Sequence, residues 1–159
     1  MILDLQSTFA GSVAVDGTKT AQGPITTTQI SANVIDLRNS SLAALVDEGI
    51  HGDGDIWLEV KVAQAFNNLT SLTITLESDT VAGLSNLPVV HATVTVALAA
   101  LTANTTVARM LLPSGDYTRF LGLRFTVTGA APTTGTLLAN IELDTQRNKT
   151  YAAGFTIDV

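Results

Sequence analysis

The chain has 159 residues, enough for one ordinary domain and too few for two well-packed ones. Eight Lys and Arg against fourteen Asp and Glu leave a net charge of -6, so no positive field is available to hold a nucleic-acid backbone. The absence of Cys excludes disulfide frameworks, thiol catalysis, Cys-ligated zinc and iron-sulfur clusters. Residues 1–6 have neither the basic region nor the apolar stretch of a secretory signal, and the chain is expected to start as made. Residues 1–30 mix Thr, Gly, Gln and Ser with scattered Leu and Val and follow no period. They read as an extended arm that pairs only in an assembly, or else as a mobile terminus.

From residue 33 onward the period is mostly two. Residues 33–37 are a weak strand candidate, and residues 41–48 the one short helix candidate, with Ser40 or Ser41 as N-cap and Gly49 as the stop. In residues 56–62 aliphatic side chains alternate with Trp57, Glu59 and Lys61, as a half-buried strand requires. Residues 71–77 repeat the pattern, with Leu72, Ile74 and Leu76 inward. Residues 92–98 alternate Thr with Val, 105–112 are weaker, 120–128 send Leu121, Leu123, Phe125 and Val127 to one side, and 136–144 do so through Leu137, Ala139, Ile141 and Leu143. Residues 154–159 are a last weak candidate. Turn chemistry separates them at Asp16-Gly17, Gly23-Pro24, Asp53-Gly54, Asn67-Asn68, Pro113-Ser114-Gly115-Asp116 and Pro132-Thr133-Thr134-Gly135. Eight antiparallel strands with almost no helix indicate an all-β sandwich or closed barrel, and the jelly roll is the eight-strand member of that set.

The surface is short of charge. Only 14% of residues are charged, against about 25% in a typical soluble domain, and the mean hydropathy is +0.35. Threonine replaces much of the missing charge, which predicts either a hydroxyl-rich sheet face or a surface covered by partners. The longest apolar stretch, residues 89–101, is interrupted by His91, Thr93 and Thr95 and falls short of the about 20 residues a bilayer-spanning helix needs. No membrane segment is expected.

Catalytic groups are sparse. Ser-His-acid chemistry needs a His to take the proton, and the two present, His51 and His91, lie in no nucleophile motif; Gly83-Leu84-Ser85-Asn86 lacks the second Gly of a nucleophile elbow. Asp53 and Asp55 are close enough for acid-base work on a glycoside, yet in a Gly-rich loop they read as turn residues. Asp47, Glu48, Asp53 and Asp55 surround His51 without matching the spacing of a calcium loop, and no glycine-rich phosphate cradle follows a strand. Neither metal nor cofactor is expected, and no catalytic residue is assigned. Asn-x-Ser/Thr triplets at Asn39, Asn68, Asn104 and Asn148 read as chance in a Thr-rich chain. Arg119, Arg124 and Arg147 lie on or just after the late strands, where a planar guanidinium can bridge carboxylates across an interface; they are the candidate interface residues.

Several blocks occur in a telling order: Met1-Ile2-Leu3-Asp4; Ser31-Ala32-Asn33-Val34-Ile35-Asp36-Leu37; the strand from Trp57 to Val62 with Ala65-Phe66-Asn67-Asn68-Leu69-Thr70-Ser71-Leu72-Thr73; and Arg119-Phe120-Leu121-Gly122-Leu123-Arg124-Phe125-Thr126-Val127-Thr128-Gly129. A strand over residues 137–144 and a tail with Gln146, Arg147 and Tyr151 close the series. In order and spacing these resemble the capsid cement proteins of short-tailed bacteriophages, over most of residues 1–151. Residues 14–30 and 38–54 look longer than that family's, so the loop around His51 and the short helix candidate read as an insertion within a single domain of residues 1–159. The resemblance implies a jelly-roll homotrimer on the outer surface of the virion head, made in the cytoplasm of the bacterial host. It would bridge neighbouring copies of the major capsid protein, with no enzyme activity, nucleic acid or membrane involved. A jelly-roll module for carbohydrate binding or host attachment is the alternative, with Trp57 and Tyr117 as its only candidate aromatic pair.

Overall fold

The computed structural model describes residues 7–14, 18–37, 56–113 and 117–142. Within them run eleven strands: β1 (Thr8–Ala10), β2 (Ser12–Val13), β3 (Lys19–Thr20), β4 (Gln29–Ile30), β5 (Ile35–Asp36), β6 (Trp57–Gln64), β7 (Leu69–Asp79), β8 (Val89–Ala97), β9 (Thr106–Leu111), β10 (Phe120–Gly129) and β11 (Thr136–Glu142). All pairings are antiparallel. A 3-10 turn, Leu98–Ala100, lies between β8 and β9, and no helix among the described residues is long and apolar enough to cross a membrane.

Alternation decides which way each strand faces. In β6 the side chains of Leu58, Val60 and Val62 are buried, in β7 those of Leu72, Ile74 and Leu76, in β10 those of Leu121, Leu123 and Phe125, and in β11 those of Leu137 and Ala139. These residues belong to one cluster, which forms because a period of two puts every second side chain on the same face of the pleat. Each fully buried Leu, Ile, Val or Phe contributes about 1.5–3 kcal/mol relative to exposure. The cluster lies between a four-stranded sheet in the order β1-β11-β6-β9 and a five-stranded sheet in the order β4-β10-β7-β8, with β5 also on β10, so the fold is sandwich-like.

The strands expected over 56–62, 71–77, 92–98, 105–112, 120–128 and 136–144 correspond to β6 to β11. The candidate at 33–37 contracts to the two residues of β5, while the one at 154–159 and the helix candidate at 41–48 lie outside the described residues. The expected N-terminal arm is a different matter, because residues of that segment pack on their own chain. Thr8, Phe9, Ala10 and Ile25 are wholly buried, and β1 pairs with β11. Gln22 then pairs with Leu137, and the Ile25 amide donates to Gly135 O at 3.0 Å. Residues 8–10 and 22–25 thus form two pieces of one edge beside β11, and the β2-β3 hairpin is an excursion between them. Phe9 and Ile25 hold the pieces in place by filling the core. The interruption after three residues leaves no run long enough to show a period.

Candidate interaction surface

β10 carries two of the proposed interface arginines, one at its entry and one at its middle. Arg119 Nε and Nη2 donate to the two carboxylate oxygens of Asp36, at 3.0 and 2.8 Å, while the guanidinium lies 4.7 Å from the centre of the Phe120 ring. That hydrogen-bonded pairing holds the Arg119 guanidinium above its ordinary pKa against the opposing effect of burial. Both partners are substantially exposed, so the pair adds little to stability. Arg124 faces outward opposite Thr75, donates from Nε to Glu77 Oε2 at 2.9 Å, and reaches Leu84 O from Nη2 at 2.6 Å. Glu77 also accepts from the Thr75 hydroxyl at 2.7 Å. Both forks are taken up within the chain, and a partner's carboxylate would have to compete with Asp36 or Glu77. Arg147 lies outside the described residues.

The loop from 80 to 88 folds back over the outer face of the five-stranded sheet. The Asp79 carboxylate organises it by accepting from the backbone N–H groups of Thr80 at 2.5 Å and Asn86 at 2.7 Å. Burial alone would raise the Asp79 carboxyl, but these hydrogen bonds, with those of the Val81 amide and the Thr80 hydroxyl, bring it below the usual carboxylate range. Leu84, buried at a φ of 45°, covers Gly122, where a Cβ would come within 2.9 Å of Leu84 Cδ1 and 3.2 Å of Val34 Cγ2. A side chain at 122 would therefore push the Leu84 side chain aside. Leu87 also has a positive φ, 57°, yet is 91% exposed.

His91 on β8 is joined to β7 through Ser78, whose Oγ lies 2.7 Å from His91 Nε2 and accepts from the Thr118 amide at 3.1 Å. The Tyr117 ring is 4.3 Å from the imidazole, centre to centre, and its hydroxyl donates to Pro113 O. Ser78 is wholly buried, so no substrate carbonyl reaches its Oγ, and the Ser-His contact acts as a structural tie. Burial holds the His91 pKa below its ordinary 6.5. The unfolded chain therefore binds the proton first as pH falls, and this contribution to stability is complete above about pH 7 and is lost downward through the folded pKa. Thermal melts from pH 7.5 to 5 are expected to show a smaller drop for His91→Gln than for the parent; parallel curves would exclude the effect.

The outer face of the four-stranded sheet is more ionic. Arg109 stands opposite Glu59 and lies 5.8 Å from the Trp57 ring centre, and the Thr106 hydroxyl donates to Glu59 at 3.1 Å. Burial, then the charge of Glu59 and a hydrogen bond with it, raise the Glu142 carboxyl despite Lys19 and Arg109. Trp57 and Tyr117, the pair weighed as a sugar platform, have their ring contacts with Arg109 and His91 respectively.

The outer face of the five-stranded sheet carries hydroxyls. Thr93 and Thr95 on β8 stand opposite Thr75 and Thr73 on β7, while Thr126 and Thr128 on β10 stand opposite Thr73 and Ser71. The hydroxyls of Thr73 and Thr95 are 3.1 Å apart. Three Thr-x-Thr motifs, 73–75, 93–95 and 126–128, thus form a lateral array. Each was visible as alternation in its own segment, but their adjacency depends on strand register. No group of His, Asp and Glu that could hold a metal ion occurs among the described residues, and the acidic loop with Asp47, Glu48, His51, Asp53 and Asp55 lies outside them.

The Bbp16 family model matches residues 19–141. The chain belongs to the Bbp16 family. The Bbp16 match runs from β3 to the penultimate residue of β11 and so takes in the hydroxyl array, both arginine ion pairs and the loop over Gly122. β1 and β2 precede it. No curated protein matches the chain.

Proposed function

We propose that this protein is a structural component of a tailed-phage head, a trimeric cement on its outer surface that bridges neighbouring major capsid subunits. The observation that carries the proposal is the hydroxyl-lined sheet face, whose Arg124 is paired with Glu77 of the same chain, a broad surface suited to close packing against protein. The ordered blocks shared with cement proteins supply the identity of the partner. The fold proposed with it is a jelly roll. Counting β4 and β5 as one strand and leaving aside the β2-β3 hairpin, eight strands remain, and they pair first with eighth, second with seventh, third with sixth and fourth with fifth. Such nested pairing is what wrapping one long antiparallel ribbon into two sheets produces.

The mechanism is thermodynamic. A protein that binds only the assembled, expanded shell stabilises it by mass action, and many copies multiply a modest contact. The test compares complete heads, heads stripped of this protein, and stripped heads with the purified protein added back. Stripped heads are expected to rupture at lower temperature and under milder osmotic shock, with recovery on addition. Equal resistance of stripped and complete heads would overturn the proposal, and glycan-array binding by the free protein would favour the attachment module instead.

A further inference from the structure

Two buried serine hydroxyls tie β10 and its entry to neighbouring segments. Ser31 Oγ accepts from the Leu123 amide at 3.1 Å and donates to Asn33 O at 2.7 Å. Ser78 Oγ accepts from the Thr118 amide, also at 3.1 Å, but its second contact, at 2.7 Å, is His91 Nε2. An amide nitrogen only donates, so the proton of the wholly buried Ser78 hydroxyl has the imidazole as its one acceptor among the described residues. Nε2 therefore carries the lone pair, and the neutral ring holds its proton on Nδ1. One tie ends on a carbonyl that does not titrate, the other on a ring that does.

A β-bulge aims that ring. Leu76 stands opposite Ala92 and Glu77 opposite Val90, which leaves His91 as the extra residue of β8. Tyr117 packs on the imidazole from the segment that leads into β10, and β8 has no other titratable residue. The charged groups of the neighbouring elements have partners or turn elsewhere. Glu77 and Asp79 alternate with Ser78 and point to the outer face of β7, where Arg124 and the amides of the loop from 80 to 88 hold them. Arg119 and Asp36 pair with each other, while Glu59, Arg109 and Glu142 stand on the outer face of the other sheet. The depression of the His91 pKa accordingly comes from burial and from none of these charges.

We infer that Ser78, His91 and Thr118 form a proton-operated latch, closed on residues 117–119 while the imidazole is neutral and opened by its protonation. The added proton enters at Nε2, which turns the ring from acceptor to donor. Ser78 Oγ then faces two donors, and its own proton is left without an acceptor in a site closed to water. The Thr118 hydroxyl supplies no second tie, since it is buried without a partner among the described residues. Opening the latch lets water reach both the ring and the serine. Because the closed form holds the His91 pKa below 6.5, the latch is fully closed above about pH 7 and opens as pH falls through the lower, folded value. Its position gives it reach. Arg119 follows Thr118, accepts from the Leu37 amide at 2.8 Å and holds Asp36, so the latch fixes the place of a candidate interface arginine. It works within one chain, whatever that chain is bound to.

The test is amide hydrogen exchange of the full chain, read residue by residue by NMR from pH 7.5 to 5 and corrected for the intrinsic exchange rate, together with the nitrogen spectrum of the imidazole. At pH 7.5 the ring is expected to be protonated on Nδ1 alone. On acidification Thr118 is expected to lose about tenfold in protection, while Leu123, whose serine tie ends on a carbonyl, changes by less than about twofold. In His91→Gln, which does not titrate, the protection of Thr118 should be independent of pH. Ser78→Ala should leave Thr118 poorly protected at both ends of the range; if that variant does not fold, His91→Gln and the parent still decide. A neutral ring protonated on Nε2 would overturn the latch. So would parallel losses at Thr118 and Leu123 in the parent, which mean global opening, or a loss at Thr118 that persists in His91→Gln.

Discussion

Gly135→Ala is expected to lower stability by about 2–5 kcal/mol, of which about 1–2 comes from forcing an L-residue into a positive-φ conformation and about 1–3 from overpacking. Gly135 has a φ of 126°, and a Cβ there would lie inside the van der Waals surface of the Phe66 ring, at Cγ, Cδ1 and Cε1. Three segments meet at this point. Gly135 O accepts from the Ile25 amide at 3.0 Å, and the Phe66 amide donates to Leu101 O at 3.1 Å. The ring is buried, so it cannot swing aside without opening the core. At about 2–4 °C per kcal/mol for a chain of this size, the melting temperature should fall by about 4–20 °C. Gly83→Ala is the control, because its nearest neighbour would be Ser85 Oγ at 3.5 Å, an ordinary contact. It should change stability by less than about 0.5 kcal/mol. Equal melting temperatures for the two variants would refute the packing argument.

Arg124→Leu is expected to cost about 2–4 kcal/mol, because the Glu77 carboxylate loses its cation while its side chain is only 5% exposed. The same change removes the hydrogen bond to Leu84 O, so amide exchange in the loop from 80 to 88 should accelerate. A denaturant double-mutant cycle separates the pair from its surroundings. Arg124→Leu combined with Glu77→Leu is expected to regain much of the loss, since removing both charges leaves no buried ion unpaired. If the double variant were no more stable than Arg124→Leu alone, the buried carboxylate would not be the source of the penalty.

Arg124 also shows how far the candidate surface was legible. Its place on an outward position of a late strand followed from the alternation of Leu121, Leu123 and Phe125 around it. That its fork closes on Glu77 and Leu84 did not, because these partners come from a neighbouring strand and a loop folded back by Asp79. Arg119 is similar, since Asp36 is brought to it by the short pairing of β5 with β10. The threonine motifs were legible one at a time, and the array they form required the register of β8, β7 and β10.

By itself the sequence determined the all-β class, the six long strands from β6 to β11, most of the inward residues on β6, β7, β10 and β11, and the shortage of charge in the chain. These depend on local periodicity and composition, which each segment carries independently of its neighbours. Only the tertiary structure decided the two sheet orders, the recruitment of residues 8–10 and 22–25 to one edge, and the joining of three Thr-x-Thr motifs into one face. Those features depend on pairings between segments far apart in the chain, whose free energy comes from a shared core that no segment encodes alone.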